Sequence, residues 1–87
     1  IDEVRLMTEP SSCESNYWLQ TLVLSDAVAD QRDAILQVTN DVGLMTRPAW
    51  RLMHQLSFYA ECPRASLTVA ESLARRIINL PSSAGLV

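Results

Sequence analysis

The sequence predicts an α+β fold, a small two-layer sandwich of about three mostly antiparallel strands with helices packed on one face. The segment 16–24, NYWLQTLVL, lacks Gly and Pro and has apolar residues on both alternating faces, which is typical of a central strand covered on both sides. The segments 25–43 and 68–77 carry helix start and stop signals. The apolar run IINL before Pro81 is typical of a final strand.

The chain is interpreted as a single domain, 1–87, because this length supports one thin core. Residues 1–15 are predicted to be an incoming linker, 16–81 the core and 82–87 a tail. Within the linker, apolar and charged residues alternate over Glu3–Met7, which indicates a short extended segment before a loop.

The first helix is predicted over 25–43. Ser25 is a candidate N-cap, and Gly43 suits the left-handed position that follows a last helical turn. Four apolar side chains at helical spacing predict one buried stripe: Val28, Ile35, Val38 and Val42. Four polar side chains fall outside it and are expected in solvent: Asp30, Asp33, Gln37 and Asn40.

The second half is predicted to contain short elements. LMTRP at 44–48 indicates an edge strand, and AWRLMHQL at 49–56 is long enough for about two helical turns. Thr68 with Glu71 matches a capping box that opens the next helix. Its apolar side is predicted to consist of Val69, Ala70, Leu73, Ala74 and Ile77.

Composition excludes several function classes. The net charge is −3 and no segment gathers more than two adjacent basic residues, so neither a nucleic-acid partner nor a membrane surface is expected. Cys13 and Cys62 lack a CxxC spacing and the chain has one histidine, so we predict two reduced thiols, a cytoplasmic location and no metal site.

All seven basic residues are arginines, and the chain contains no lysine. A mechanism that needs a lysine amine is therefore not completed by these residues alone. The sequence begins at Ile1 rather than Met, and we expect a piece of a longer protein.

Arg47, Trp50 and His54 are the candidate site residues. On a helix, Trp50 and His54 are four residues apart and share a face, with Arg47 just before the first turn. An indole, an imidazole and a guanidinium on one side suit an anion or a sugar ring. The alternative is that Trp50 and Met53 fill the core, that Arg47 and Arg51 are solvated and that His54 is a structural or surface residue. Periodicity alone favours this alternative. Trp18 is likewise interpreted as core, and Arg75 with Arg76 as solvated groups at a helix end.

Three segments, CESNYWLQTLVL, GLMTRPAWRLMHQLSFYAECPR and AESLARRIINLPSS, resemble the C-terminal end of DegT-type sugar aminotransferases, nearest the legionaminic-acid-type branch. The resemblance spans roughly residues 10–84. It implies a fold-type I enzyme dependent on pyridoxal phosphate (PLP), in which a large domain carries the cofactor lysine and a small C-terminal α+β domain closes over the site. The lack of lysine in this chain agrees with the small domain.

The resemblance also implies a function. The full-length enzyme would transfer an amino group from glutamate to a 4-keto nucleotide sugar, while the fragment alone would be inactive. Without its large domain, a fragment with 48% hydrophobic residues would expose apolar surface, so we expect a dimer or higher oligomer. Arg47, Trp50 and His54 would form part of the substrate cleft wall, with no catalytic or cofactor-binding residue in the fragment. The alternative is a free-standing α+β ligand-binding or protein-interaction module without a catalytic role.

Overall fold

The computed structural model describes residues 3–82. Its strands are β1 (Val4–Leu6), β2 (Gln20–Leu24), β3 (Arg47–Pro48) and β4 (Ile77–Leu80). Its α-helices are α1 (Arg32–Asp41) and α2 (Thr68–Ala74). Three short 3₁₀ segments cover Asp26–Gln31, Met53–Gln55 and Ser57–Tyr59.

The four strands form one antiparallel sheet in the order β1-β2-β4-β3. The α+β class and the interior position of β2 are confirmed, whereas the expected number of strands was one too low. The additional strand is β1, which lies in the segment predicted to be an extended linker and pairs with β2 from Val4 opposite Leu24. The final strand is confirmed at β4.

The core lies where β2 and β4 meet. Val23, Leu24 and Ile78 are the fully buried apolar residues of the described chain, with 3% or less of their surface exposed. Leu22 pairs with Ile78 and Val23 with Ile77, so the two most apolar strands run side by side. The core is therefore thin, as the length predicts.

The segment 16–19 is a turn rather than the start of β2. Tyr17 has φ of 48°, in the left-handed region that extended strands exclude. Its backbone N–H donates to Ser15 Oγ at 3.0 Å, and the Trp18 N–H donates to Asn16 Oδ1 at 3.0 Å. These local bonds give the backbone an alternative to strand pairing, so β2 begins only at Gln20.

The predicted first helix is divided into two parts. Ser25 is extended without a side-chain cap, a 3₁₀ segment follows, and the α-helical part begins at Arg32. Val38 and Val42 are 63% and 73% exposed, so the predicted buried stripe is wrong at both positions. The 3₁₀ segment and its kink at Val28 take that residue out of the helical spacing, and α1 ends at Asp41, so Val42 lies beyond the helix. Gly43 has φ of 91°, as predicted.

Asn40 is half-buried, so its predicted solvent position is wrong. Its Nδ2 donates to the Leu36 carbonyl at 2.7 Å and to the Thr46 carbonyl at 3.1 Å. Thr46 is 4% exposed, and its hydroxyl lies 2.6 Å from Thr39 Oγ1. These bonds join the end of α1 to the residue that precedes β3.

The region 49–56 does not form two helical turns. Pro48 lies in the edge strand β3, opposite Ile78 of β4. Residues 49–52 have no regular secondary structure, and a single 3₁₀ turn follows at Met53–Gln55. The capping box is also wrong, because Leu67 holds the N-cap position and Thr68 lies inside α2 without a side-chain cap.

The apolar side of α2 and its last turn also differ from prediction. Val69 is 71% exposed and does not belong to the buried side. The side chain of Arg76 is 17% exposed, and its Nη1 donates to the Leu24 carbonyl at 2.8 Å, so it is not solvated. Arg75 is 59% exposed, in keeping with the prediction.

Along residues 3–82, no helix combines the length and the apolar character needed to cross a membrane. The thiols of Cys13 and Cys62 are both exposed and do not form a disulfide. The predicted tail lies almost entirely outside the described residues, which end at Ser82.

Candidate functional site

Arg47 lies on the edge strand β3, where polar groups of the end of α1 hold its guanidinium. Its Nη1 donates to Asn40 Oδ1 and to the Thr46 carbonyl, both at 2.8 Å. A guanidinium has five donors, so the Nε and Nη2 edge remains available to a carboxylate or a phosphate. The residue is exposed, and the group is therefore both positioned and accessible.

Trp50 is 77% exposed and contacts the indole of Trp18, which is itself 64% exposed. The two ring centroids are 6.4 Å apart and the planes are inclined by 53°, a tilted arrangement in the favourable range for aromatic pairs. The interpretation of Trp18 as a core residue is wrong, because the turn before β2 places its side chain outside the sheet core.

His54 lies in the 3₁₀ turn Met53–Gln55, and its side chain is 14% exposed. Its Nε2 is 3.1 Å from Oε1 of Glu71 on α2. This contact joins the irregular segment after β3 to α2. It also explains why Glu71 does not act in a capping box, since its carboxylate is turned toward the histidine.

The structure does not gather the three candidate residues in one cavity. His54 lines an open cavity of about 290 Å³, the His54 cavity, together with Tyr59, Cys62 and Arg64. Trp50 lines a second cleft of about 400 Å³, the Trp50 cleft, which also contains Arg32, Arg51, Gln55, Glu71 and Arg75. Arg47 lines neither of them.

Sequence reasoning missed the neighbours that give these cavities their chemistry. Three guanidinium groups, those of Arg32, Arg51 and Arg75, line the Trp50 cleft. Two of them have carboxylate partners, since Arg32 contacts Asp33 at 3.0 Å and Arg75 contacts Asp26 at 3.3 Å. The arginines come from different segments, so no local spacing would have indicated the cleft.

The family follows from comparison with known proteins. The profile of the DegT/DnrJ/EryC1/StrS aminotransferase family matches residues 1–87, the whole of the chain. The chain belongs to this family. The expected resemblance is therefore confirmed, although the relatives do not single out the legionaminic-acid-type branch.

The relatives of this DegT-type chain include one enzyme named for a nucleotide sugar and two named as aminotransferases. It is 30% identical over 70 residues to the GDP-perosamine synthase of Caulobacter vibrioides, covering 80% of this chain and 19% of that protein. The aminotransferase TlmJ from Streptoalloteichus hindustanus shares the fold with a TM-score of 0.76 and 27% identity, covering 93% of this chain and 21% of TlmJ.

Helicobacter pylori PseC, an aminotransferase involved in the biosynthesis of pseudoaminic acid, gives a TM-score of 0.68 at 21% identity over 79% of this chain and 19% of PseC. At that identity the likeness shows the fold alone. The DegT-type chain thus spans about a fifth of the length of the relatives it matches.

The residues of this DegT-type chain do not fit covalent attachment of PLP. The sequence contains no lysine, and its two glycines, Gly43 and Gly85, are too few for a glycine-rich phosphate loop. Between residues 3 and 82, no group of three or more His, Cys, Asp or Glu side chains is placed to hold a metal ion. The candidate residues present an exposed guanidinium edge, an exposed indole face and a largely buried imidazole.

Proposed function

We propose that this chain is the C-terminal small domain of a PLP-dependent aminotransferase that moves an amino group from glutamate to a 4-keto nucleotide sugar. The observation that supports this most is the family match along the whole chain, together with a relative named GDP-perosamine synthase. The chain corresponds to about a fifth of that relative, which leaves room for a large domain bearing the cofactor lysine. We place the enzyme in the cytoplasm as a homo-oligomer.

In this proposal the chain forms part of the substrate cleft wall and takes no step of the amino-group chemistry. Arg47 presents its Nε and Nη2 edge to a carboxylate or phosphate, while Asn40 and the Thr46 carbonyl hold Nη1 in place. Trp50 offers a largely exposed indole face to a sugar or base ring. His54 is fixed through Nε2 by Glu71, which leaves Nδ1 to bond a hydroxyl.

The first test is the reading frame that encodes these residues. A lysine-bearing PLP domain upstream supports the proposal. A start codon directly before Ile1 would instead favour a free-standing ligand-binding or interaction module.

The second test is steady-state kinetics of the full-length enzyme beside its cofactor absorbance. Arg47→Ala should raise the KM for the nucleotide sugar or glutamate while the cofactor band stays intact. Arg5→Ala is the matched control, because Arg5 is also an exposed arginine and lies on β1, the opposite edge strand of the sheet.

His54→Ala is tested in the same way, with Gln37→Ala for comparison, because Gln37 is exposed and lines neither cavity. If Arg47→Ala and His54→Ala both leave the kinetics unchanged, the two side chains have structural roles only. Loss of the cofactor band in either variant would contradict the placement of these residues on the substrate side of the cleft.

A further inference from the structure

His54 and Glu71 contact each other although they line different cavities. His54 lines the His54 cavity and not the Trp50 cleft, whereas Glu71 lines the Trp50 cleft and not the His54 cavity. Imidazole Nε2 and carboxylate Oε1 are 3.1 Å apart, which is within hydrogen-bond distance. The side chain of His54 is 14% exposed and that of Glu71 is 56% exposed. The imidazole is therefore largely buried, and one of its two nitrogens is already occupied by a residue of α2.

Both side chains project from hydrogen-bonded backbone. The 3₁₀ turn Met53–Gln55 that carries His54 is closed by a bond of 2.9 Å from its last N–H to the Leu52 carbonyl. The N–H of Glu71 donates to the Leu67 carbonyl at 2.8 Å, in the first turn of α2. The contact therefore joins two structured segments, unlike an ion pair between two long side chains in solvent.

The carboxylate determines which ring nitrogen of His54 carries the proton. An ionised carboxylate accepts hydrogen bonds and donates none, so the nitrogen that bonds to Glu71 must be protonated. In the neutral imidazole the other nitrogen then has a lone pair and no proton. Within residues 3–82 Nδ1 has no hydrogen-bond partner, and no unpaired polar side-chain atom of these residues is fully buried. Nδ1 is therefore an accessible hydrogen-bond acceptor.

We propose that Glu71 is a positioning residue that fixes the tautomer of His54, so that Nδ1 accepts a hydrogen bond from a substrate hydroxyl and disfavours a carbonyl or an ether in that place. This inference rests on the proposed function, which gives His54 its contact with the nucleotide sugar. A carbonyl or ether oxygen has no proton to donate, so its lone pairs would face the lone pair of Nδ1. Sites built to bond a hydroxyl strongly reject ligands that lack one, because the polar group of the site is left unpaired.

Nitrogen NMR of the imidazole tests the tautomer without a measurement of activity. His54 is the only histidine of the chain, so a long-range ¹H–¹⁵N spectrum of the 87-residue chain contains one imidazole. In mildly alkaline buffer the unprotonated nitrogen should resonate far downfield of the protonated one, and the proton should reside on Nε2 alone. In the full-length enzyme, subtraction of the His54→Ala spectrum identifies the same signals.

Glu71→Gln should bring the two nitrogen signals closer together. An amide can accept from Nε2–H or donate to a bare Nε2, so both tautomers become populated. The urea-unfolded chain is the reference for an imidazole without a partner. Glu61→Gln is the matched control and should leave the spectrum unchanged, because Glu61 is exposed and lines neither cavity.

Steady-state kinetics of the full-length enzyme test whether the tautomer matters for substrate use. His54→Ala should raise the KM for the nucleotide sugar roughly fivefold, which is the factor that one hydrogen bond between uncharged groups contributes. Glu71→Gln should raise it about two- to fivefold, with the KM for glutamate and the cofactor band unchanged. In the His54→Ala background, Glu71→Gln should have no further effect, because Glu71 acts through the imidazole.

The spectrum and the kinetics contradict the inference in different ways. A proton on Nδ1, or on both nitrogens, would make Nδ1 a donor and refute the tautomer while the proposed function stands. Multiplicative losses in the double variant would show that Glu71 acts independently of His54, and a raised KM for glutamate alone would exclude the sugar hydroxyl. If the proton resides on Nε2 but the enzyme does not use nucleotide sugars, the proposed function fails, and the assigned hydroxyl fails with it.

Discussion

Replacing Arg76 by alanine should destabilise the fold by about 2 kcal/mol, whereas the same change at Arg75 should cost about 0.5 kcal/mol or less. The two residues are adjacent and carry the same charge, so they form a matched pair. Arg76 is 17% exposed and its Nη1 donates to the carbonyl of Leu24 at 2.8 Å. Its Nε also lies 3.3 Å from the Ser72 carbonyl. Arg75 is 59% exposed, and within residues 3–82 its guanidinium has one polar partner, Asp26, at 3.3 Å.

The expected loss of unfolding free energy in Arg76→Ala follows from the groups that the Arg76 side chain contacts. A hydrogen bond from a charged donor contributes about 1.5–3 kcal/mol. Leu24 is 1% exposed, so its carbonyl is poorly placed to exchange this bond for water. The ion pair of Arg76 with Asp26, at 3.4 Å, adds little because the carboxylate is 73% exposed. A domain of 87 residues has a total stability of roughly 4–13 kcal/mol, so a loss of about 2 kcal/mol is a large fraction.

The assay is urea unfolding of the 87-residue chain followed by far-ultraviolet circular dichroism. With a slope of about 1 kcal/mol per molar urea, Arg76→Ala should lower the midpoint by about 2 M and Arg75→Ala by about 0.5 M or less. Arg76→Lys keeps the charge near Asp26 but not the planar fork, and should resemble alanine more than arginine. If Arg75→Ala and Arg76→Ala lower the urea midpoint equally, or if Arg76→Lys keeps the full stability, the bond between Arg76 and the Leu24 carbonyl is not the source of the stabilisation.

Three further outcomes follow from the same structure. Gly43→Ala should cost about 1 kcal/mol in a thermal melt, because φ is 91° while nothing lies within 4 Å of an added Cβ, and a larger loss would indicate an unrecognised clash. Asn40→Ala should cost about 1–2 kcal/mol of unfolding free energy by removing its bonds to Leu36 and Thr46, whereas the exposed Gln37→Ala should stay within about 0.5 kcal/mol. The isolated chain incubated with PLP should show no cofactor absorbance band and no amino transfer from glutamate, because it has no lysine, and a stable band would contradict this.

The strands were predictable where a run of residues has apolar side chains on both faces and no Gly or Pro. The apolar residues Leu22, Val23 and Leu24 occupy both faces of β2, and β4 is apolar except at Asn79. These two strands form the centre of the sheet. The start of β2 was not predictable, because the turn before it also depends on Glu9, whose N–H donates to the Tyr17 hydroxyl and whose carboxylate accepts the Ser15 N–H from the far side of the loop. Such a contact leaves no local pattern in the sequence.

The sequence predicted that the helices exist but not which of their faces is buried. Start signals placed a helix after Ser25, yet the first part adopts 3₁₀ geometry and shifts the face that α1 turns inward. Polar side chains were the least predictable, because their partners are distant in sequence. Arg76 reaches Leu24 and His54 reaches Glu71, and neither pair has a spacing that indicates contact.

For the candidate site too, the sequence indicated the residue types but not where the fold places them. Arg47, Trp50 and His54 were predicted from their chemistry and from a helix that does not form. In the structure each of the three contacts a different residue. Asn40 fixes Arg47, Trp18 packs on Trp50, and Glu71 fixes His54. A convergent function for the three would therefore require a further surface, such as a large domain, that faces β3 and the segment after it.

Variants of Arg47 and of its partner Asn40 can distinguish a purely structural role of Arg47 from a role in substrate binding. Nη1 is occupied by Asn40 and the Thr46 carbonyl, so a ligand that meets the Nε and Nη2 edge finds a guanidinium already ordered, and binding loses less side-chain entropy. If Arg47 serves only the fold, Asn40→Ala and Arg47→Ala should both lower stability and leave the KM unchanged. If it also binds substrate, Arg47→Ala should raise the KM more than Asn40→Ala does, because the second variant loosens the guanidinium without removing it.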